Sequence, residues 1–108
     1  MRSRLDEALV GRSIRSVVEI HDYVQLHFNL GIVLNIYNPF QVEGTNDLGL
    51  DALVGATTTQ VIERVEEVVL RFGTGAVISI DLREAAYTGP EAMLLRVPGG
   101  PIIVWRGD

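Results

Sequence analysis

His21, Asp22 and His27 are the residues of this sequence whose types point to a metal ion. Along a strand the two histidines fall on one side, but six residues of extended chain hold them about 20 Å apart. A shared ion would need a sharp bend at Asp22, so they read as a loop histidine and a surface-facing strand histidine, with no metal expected. No nucleophile is set up for catalysis either. There is no Gly-x-Ser-x-Gly elbow, and Ser3, Ser13, Ser16 and Ser79 fall at a helix cap or within strand-like runs. Thr57-Thr58-Thr59 leads into a strand. Gly73-Thr74-Gly75 has the look of a phosphate cradle, yet such a cradle opens onto a helix and here a strand follows, so it reads as a hairpin turn. Glu84, Tyr87 and Glu91 flank the Gly89-Pro90 loop and form a second-choice loop site. Carboxylates in a loop are ordinarily just solvated.

The elements that position these residues belong to one domain spanning residues 1–108. That length gives room for a single core, and 47% apolar residues with four prolines exclude disorder. Zero cysteines exclude a disulfide framework, a thiolate nucleophile and a Cys-ligated zinc. The net charge is −5, and the nine basic residues are all arginines placed singly along the chain. A phosphate backbone requires a cationic footprint, so nucleic acid is not expected as a partner. No apolar stretch approaches the ~18–20 residues of a membrane span. The first residues, Met1-Arg2-Ser3-Arg4-Leu5-Asp6-Glu7, lack a secretory apolar core, which makes the cytoplasm the expected compartment.

The strongest signal is internal. Shifted by 44 residues, Ala8-Leu9-Val10-Gly11 falls on Ala52-Leu53-Val54-Gly55. Without a gap, Val17 then meets Val61, Glu19 meets Glu63, and Val24, Leu26 and Phe28 meet Val68, Leu70 and Phe72. Gly31, Val33 and Ile36 meet Gly75, Val77 and Ile80. This is the signature of a tandem repeat of one supersecondary unit. Each unit opens with a short helix: Ser3 and Asp6 resemble a capping box ahead of Leu5 and Leu9, with Gly11 as the stop. In the second, Asp47 caps a helix whose apolar face is Leu50, Leu53 and Val54, ended by Gly55. β-branched, alternating sequence follows both.

Hairpin register follows from which pairing keeps polar residues off the core. A two-residue loop after Phe28 would set Leu26 against Asn35. A three-residue loop, Asn29-Leu30-Gly31, pairs Phe28 with Ile32, Leu26 with Leu34 and Val24 with Ile36, with Gly31 left-handed. The second unit follows suit, with Phe72/Ala76, Leu70/Ile78 and Val68/Ile80. On the opposite face this register sets Tyr23 against Tyr37, Gln25 against Asn35 and His27 against Val33. These residues make an uncharged, partly aromatic strip suited to binding a protein. Tyrosine pairs across strands also stabilise a half-exposed sheet, which is the plainer reading. The matching face of the second hairpin sets Glu67 against Asp81 and is more charged.

Beyond the repeats, Glu91 to Val97 and Ile102 to Arg106 read as a terminal hairpin about Pro98-Gly99-Gly100-Pro101. Met93, Leu95, Val97, Ile102 and Val104 are expected on one face, and Leu94, Ile103 and Trp105 on the other. Apolar on both faces, the pair is expected to be central or covered by a partner. Phe72 with Gly75, Glu91-Ala92, Pro98-Gly99-Gly100 and Val104-Trp105 resemble the pattern of a family of small, mainly actinobacterial proteins of unknown function. Met93 stands where that family usually has Trp after its Glu-Ala pair. The resemblance implies an immunity-type or accessory component of a bacterial toxin system, with no known activity or site.

The expected architecture is α+β, mainly β: two pseudo-symmetric helix-β-β-β repeats, about 3–44 and 47–88, closed by a C-terminal hairpin at about 91–106. The expected function is a non-catalytic protein-binding module without a cofactor, its partner met by Tyr23, Gln25, His27, Asn35 and Tyr37. Two alternatives stand beside it: a small-molecule domain with a cleft between the repeats, and a small enzyme acting through Glu84, Glu91 or His27. A homodimer is one way of covering the sheet edges, and the sequence leaves it open.

Overall fold

The computed structural model describes residues 4–106. Arg4–Leu9 forms α1, which buries Leu5 and Leu9 and is released at Gly11, where φ is +86°. Ser3 of the expected capping box lies outside the described residues. Nine strands follow among the described residues: β1 (Ile14–Ile20), β2 (Tyr23–Phe28), β3 (Val33–Ile36), β4 (Phe40–Glu43), β5 (Thr58–Glu63), β6 (Glu67–Phe72), β7 (Val77–Asp81), β8 (Glu91–Arg96) and β9 (Ile102–Arg106). They make two antiparallel sheets, β1-β2-β3-β8-β9 and β4-β7-β6-β5. The molecule is mainly β.

The β2–β3 and β6–β7 hairpins take the register that keeps polar side chains off the core. Leu26 pairs with Leu34 and Leu70 with Ile78, and the loops close with Phe28 N–H donating to Ile32 O (2.8 Å) and Phe72 N–H to Ala76 O (3.0 Å). Gly31 is left-handed at φ +76°, and Leu30 before it is left-handed too, at +64°. Alternate residues of both hairpins then point inward. Leu26, Leu34, Ile36, Leu70, Ile78 and Ile80 are buried in one continuous apolar cluster that also takes in Leu5, Leu9 and Leu53. Each such side chain contributes about 1.5–3 kcal/mol by leaving water.

Three features depart from the sequence reading. The segment expected as a second helix is a 3₁₀ turn, Gly49–Leu53, in which Asp47 makes no cap and Val54 is 52% exposed. Five residues opening on a left-handed Gly49 are too few to nucleate an α-helix. Secondly, the terminal hairpin sets Arg96 rather than Val97 opposite Ile102, so Met93 pairs with Trp105 and Leu95 with Ile103. One residue of slip exchanges the faces: Ile103 and Trp105 join Met93 and Leu95 on the core side, while Ile102 and Val104 turn outward with Leu94. β8 is central, but β9 is an edge strand rather than a buried one.

Thirdly, the strands that follow the two hairpins change sheets. β4, next along the chain after β3, pairs with β7, and β8, which follows β7, pairs with β3. Asn38 is the joint. Its backbone N–H reaches Ala92 O in the first sheet (3.2 Å), and its side-chain amide donates to Asp81 O in the second (2.8 Å). The sheets are stitched again near Ser13 and Thr57, which form an isolated antiparallel bridge with their hydroxyls 2.8 Å apart. Around them Gly11 N–H donates to Thr58 O (2.8 Å), Gly55 N–H to Ile14 O (2.7 Å), Ile14 N–H to Ala56 O (2.9 Å) and Thr58 N–H to Arg12 O (2.8 Å).

Candidate functional site

β2 and β3 alternate, so the residues between the buried ones face outward on the five-stranded sheet. Tyr23, Gln25 and His27 come from β2, Asn35 from β3, and Tyr37 from the residue after it. The structure brings these five together. The Tyr23 and Tyr37 rings lie 5.0 Å apart between centroids, tilted by 52°. His27 Nε2 and Gln25 Oε1 are 3.1 Å apart, and the Asn35 amide donates to the Tyr37 hydroxyl at 3.2 Å. All five are half-buried. Rings and amides braced against one another lose little side-chain entropy on docking, which suits them to binding.

The strip is wider than the alternation of one hairpin reveals. Across β1, Val18 pairs with Gln25 and Ile20 with Tyr23, and both are over a third exposed. A bulge between Ile14 and Ser16 sets that register, and nothing in the run of β-branched residues announces it. On the other side Asn35 pairs with Leu94, and Leu94 with Val104. Along these outward rows the charged side chains are Arg96, Arg106 and, opposite Arg106 at the end of β8, Glu91, the one carboxylate in these rows among the described residues of a chain with 14 acidic residues.

The other residues singled out for chemistry are not gathered. His21 and Asp22 sit in the β1–β2 turn, 93% and 86% exposed and 3.5 Å apart, while His27 is held by Gln25 on the sheet. Glu84 is exposed in the 3₁₀ turn Glu84–Ala86, whereas Tyr87 and Glu91 are half-buried, Glu91 opposite Arg106. No side-chain hydrogen bond or ion pair joins Glu84, Tyr87 and Glu91. No group of three or more metal-ligating side chains occurs among the described residues.

The space between the two sheets holds packed core. A pocket of about 500 Å³ lies along the four-stranded sheet at the Pro39 end of β4, where Pro39, Phe40 and Gln41 of the first expected repeat meet Glu66, Glu67, Ser79, Ile80, Asp81 and Arg83 of the second. Within it Arg83 forks onto Asp81, Nη2 to Oδ2 at 2.6 Å and Nε to Oδ1 at 3.0 Å. The Arg83 side chain, then its backbone N–H, hold the Asp81 carboxyl below its ordinary range, and Asp81 in turn raises Arg83. Arg64 pairs with Glu67 at 3.0 Å. Among the described residues no helix is long and apolar enough to cross a membrane. Searches among protein families, curated proteins and solved structures find no match to this chain.

Proposed function

We propose that this chain is a non-catalytic protein-binding module that meets its partner on the outer face of the five-stranded sheet. The observation carrying the reading is a sheet face whose one carboxylate among the described residues, Glu91, stands at its end opposite Arg106, on an acidic chain. Its centre is Tyr23, Tyr37, Gln25 and Asn35, its flanks are Val18, Ile20 and Val104, and its cations are Arg96 and Arg106. The fitting partner offers a flat apolar and amide-rich patch with a carboxylate at its rim. An inhibitor or accessory role toward a bacterial toxin is what the resemblance of the Phe72–Trp105 region favours.

The unit behind this face is a tandem duplication whose halves have exchanged strands. Supporting this, the four backbone bonds around Ser13 and Thr57 interchange in pairs under the 44-residue shift. Gly11 to Thr58 becomes Gly55 to Ile14, and Ile14 to Ala56 becomes Thr58 to Arg12. The bulges at Ile14/Ser16 and Thr58/Gln60 correspond in the same way.

The test is comparative capture from a lysate of the source cells by the immobilised protein and by its Gln25→Glu/Ile102→Glu variant. Both substitutions put a carboxylate on the face without touching the core. A partner held by the wild type and lost from the variant, with circular dichroism unchanged, supports the reading. Equal retention by both, or no partner on either, overturns it.

A further inference from the structure

The five-stranded sheet has one strand more than its counterpart, and the difference is β9. β4 stands to β7 as β8 stands to β3. Asp81 N–H donates to Pro39 O (3.0 Å) as Tyr37 N–H donates to Ala92 O (2.9 Å), and Phe40 pairs with Ile80 as Met93 pairs with Ile36. The matching rests on hydrogen bonds and register alone, so it holds whatever the origin of the two halves. On β8 the outer edge is taken by β9, which sets Trp105 beside Met93 and Ile103 beside Leu95, and both Met93 and Leu95 are 0% exposed. Among the described residues no strand pairs with the outer edge of β4. Phe40 and Val42, the counterparts of Met93 and Leu95, stay half-exposed.

We propose that the free edge of β4 accepts an extended peptide segment of a partner protein in which apolar and basic residues alternate. Hydrogen-bonded pairing at Pro39/Asp81 makes Phe40 and Val42 the residues whose N–H and C=O groups point away from β7, along the open edge. An added antiparallel strand would satisfy them as β9 satisfies β8, a recognised mode of peptide capture. Its residues opposite Phe40 and Val42 would continue the core layer and must be apolar. Those between them emerge beside Gln41 on the outer face, next to the pocket of about 500 Å³.

Charge decides the alternate positions. Among the described residues no cation is hydrogen-bonded to Glu43 on β4 or to Glu66 in the pocket wall: Arg83 is committed to Asp81, with Glu66 acting on it only through space, and Arg64 to Glu67. A lysine or arginine of the incoming strand meets this demand. A second copy fits worse. With Phe40 opposite the other copy's Val42, antiparallel β4–β4 pairing would bring Glu43 of each chain to the Pro39 end of the other, against Glu66 and Glu67. Pro39 lacks an N–H and Gly44 turns away at φ +74°, so the acceptor edge is short and the capture transient.

The experiment titrates the whole chain into a short fluorescein-labelled peptide in which valine and phenylalanine alternate with lysine, read by fluorescence anisotropy. Saturable binding is expected. Methylating the amide nitrogens of the apolar residues, which face β4, should weaken it about tenfold, the scale of one or two hydrogen bonds, whereas methylating those of the lysines should not. Glu43→Lys/Glu66→Lys, both at exposed positions, should weaken it comparably without altering the fold. Equal binding of the two methylated peptides would reduce the contact to charge alone and overturn the proposal. So would absence of saturation, or a concentration-dependent dimer of the chain dispersed by Val42→Pro.

Discussion

Phe28→Ala and Phe72→Ala probe corresponding points of the two sheets with different surroundings. The rings are 3% and 4% exposed. Removing all but Cβ returns roughly 150 Å² of apolar surface to the balance, and at ~25 cal/mol per Å² this is about 4 kcal/mol, within the ~3–5 kcal/mol typical of a core phenylalanine. The walls then separate the two variants. Phe28 pairs with Ile14 and closes its loop onto Ile32, side chains long enough to lean into the vacated volume. Phe72 has Thr58 and Ala76 in those places, and these cannot. The expected costs are therefore about 3 kcal/mol for Phe28→Ala and about 4–5 kcal/mol for Phe72→Ala. For a domain near 100 residues each kcal/mol lowers Tm by about 4–8 °C, so shifts of roughly 12 °C or more are expected. Urea denaturation followed by tryptophan fluorescence and circular dichroism gives the comparison. A loss below about 1 kcal/mol for either variant, or a larger loss for Phe28→Ala, would refute the assignment of these rings to one core and the relaxation argument respectively.

Two more expectations rest on single groups. Thr58 is 1% exposed with its hydroxyl oxygen lacking a hydrogen-bond partner, and the position 44 residues earlier carries Ile14. Thr58→Val should raise stability by about 1 kcal/mol in the same urea measurement, and a loss would show that the hydroxyl is satisfied. The Asp81 carboxyl should titrate below the ordinary aspartate range in a carboxyl-carbon NMR titration. Because its folded pKa is depressed, the ion pair contributes stability above the unfolded value, and that contribution disappears as pH falls through the folded one. Arg83→Ala should move the titration back up, and an unmoved midpoint would sink the assignment.

The β2–β3 and β6–β7 hairpins were legible because one face of each is apolar and the other is not, so a single loop length satisfies the pattern. Pro98-Gly99-Gly100-Pro101 offers no such arbitration. Leu94, Ile103 and Val104 are acceptable on either face, and a left-handed Gly99 decides the register locally. The exchange of β4 and β8 was hidden for a related reason. Phe40 and Val42 carry the same alternation as Met93 and Leu95, so pattern alone fits β4 against either sheet. The bonds of Asn38 to both sheets accompany the choice that the fold makes. The aromatic strip itself could be read from Tyr23 to Tyr37, whereas its extension to Val18, Leu94 and Val104 depends on pairings between distant parts of the chain.

Crossing of the two late strands has a consequence for synthesis. Val33–Ile36 leaves the ribosome early, yet the segment that flanks it, Glu91–Arg96, is made only after four intervening strands. At roughly 5–20 residues per second the nascent chain waits several seconds with that flank bare. Contacts so distant in sequence also slow the search itself. Folding of the first half is thereby timed by translation of the second, and a ribosome stalled before Met93 would hold a chain open to aggregation and to chaperones.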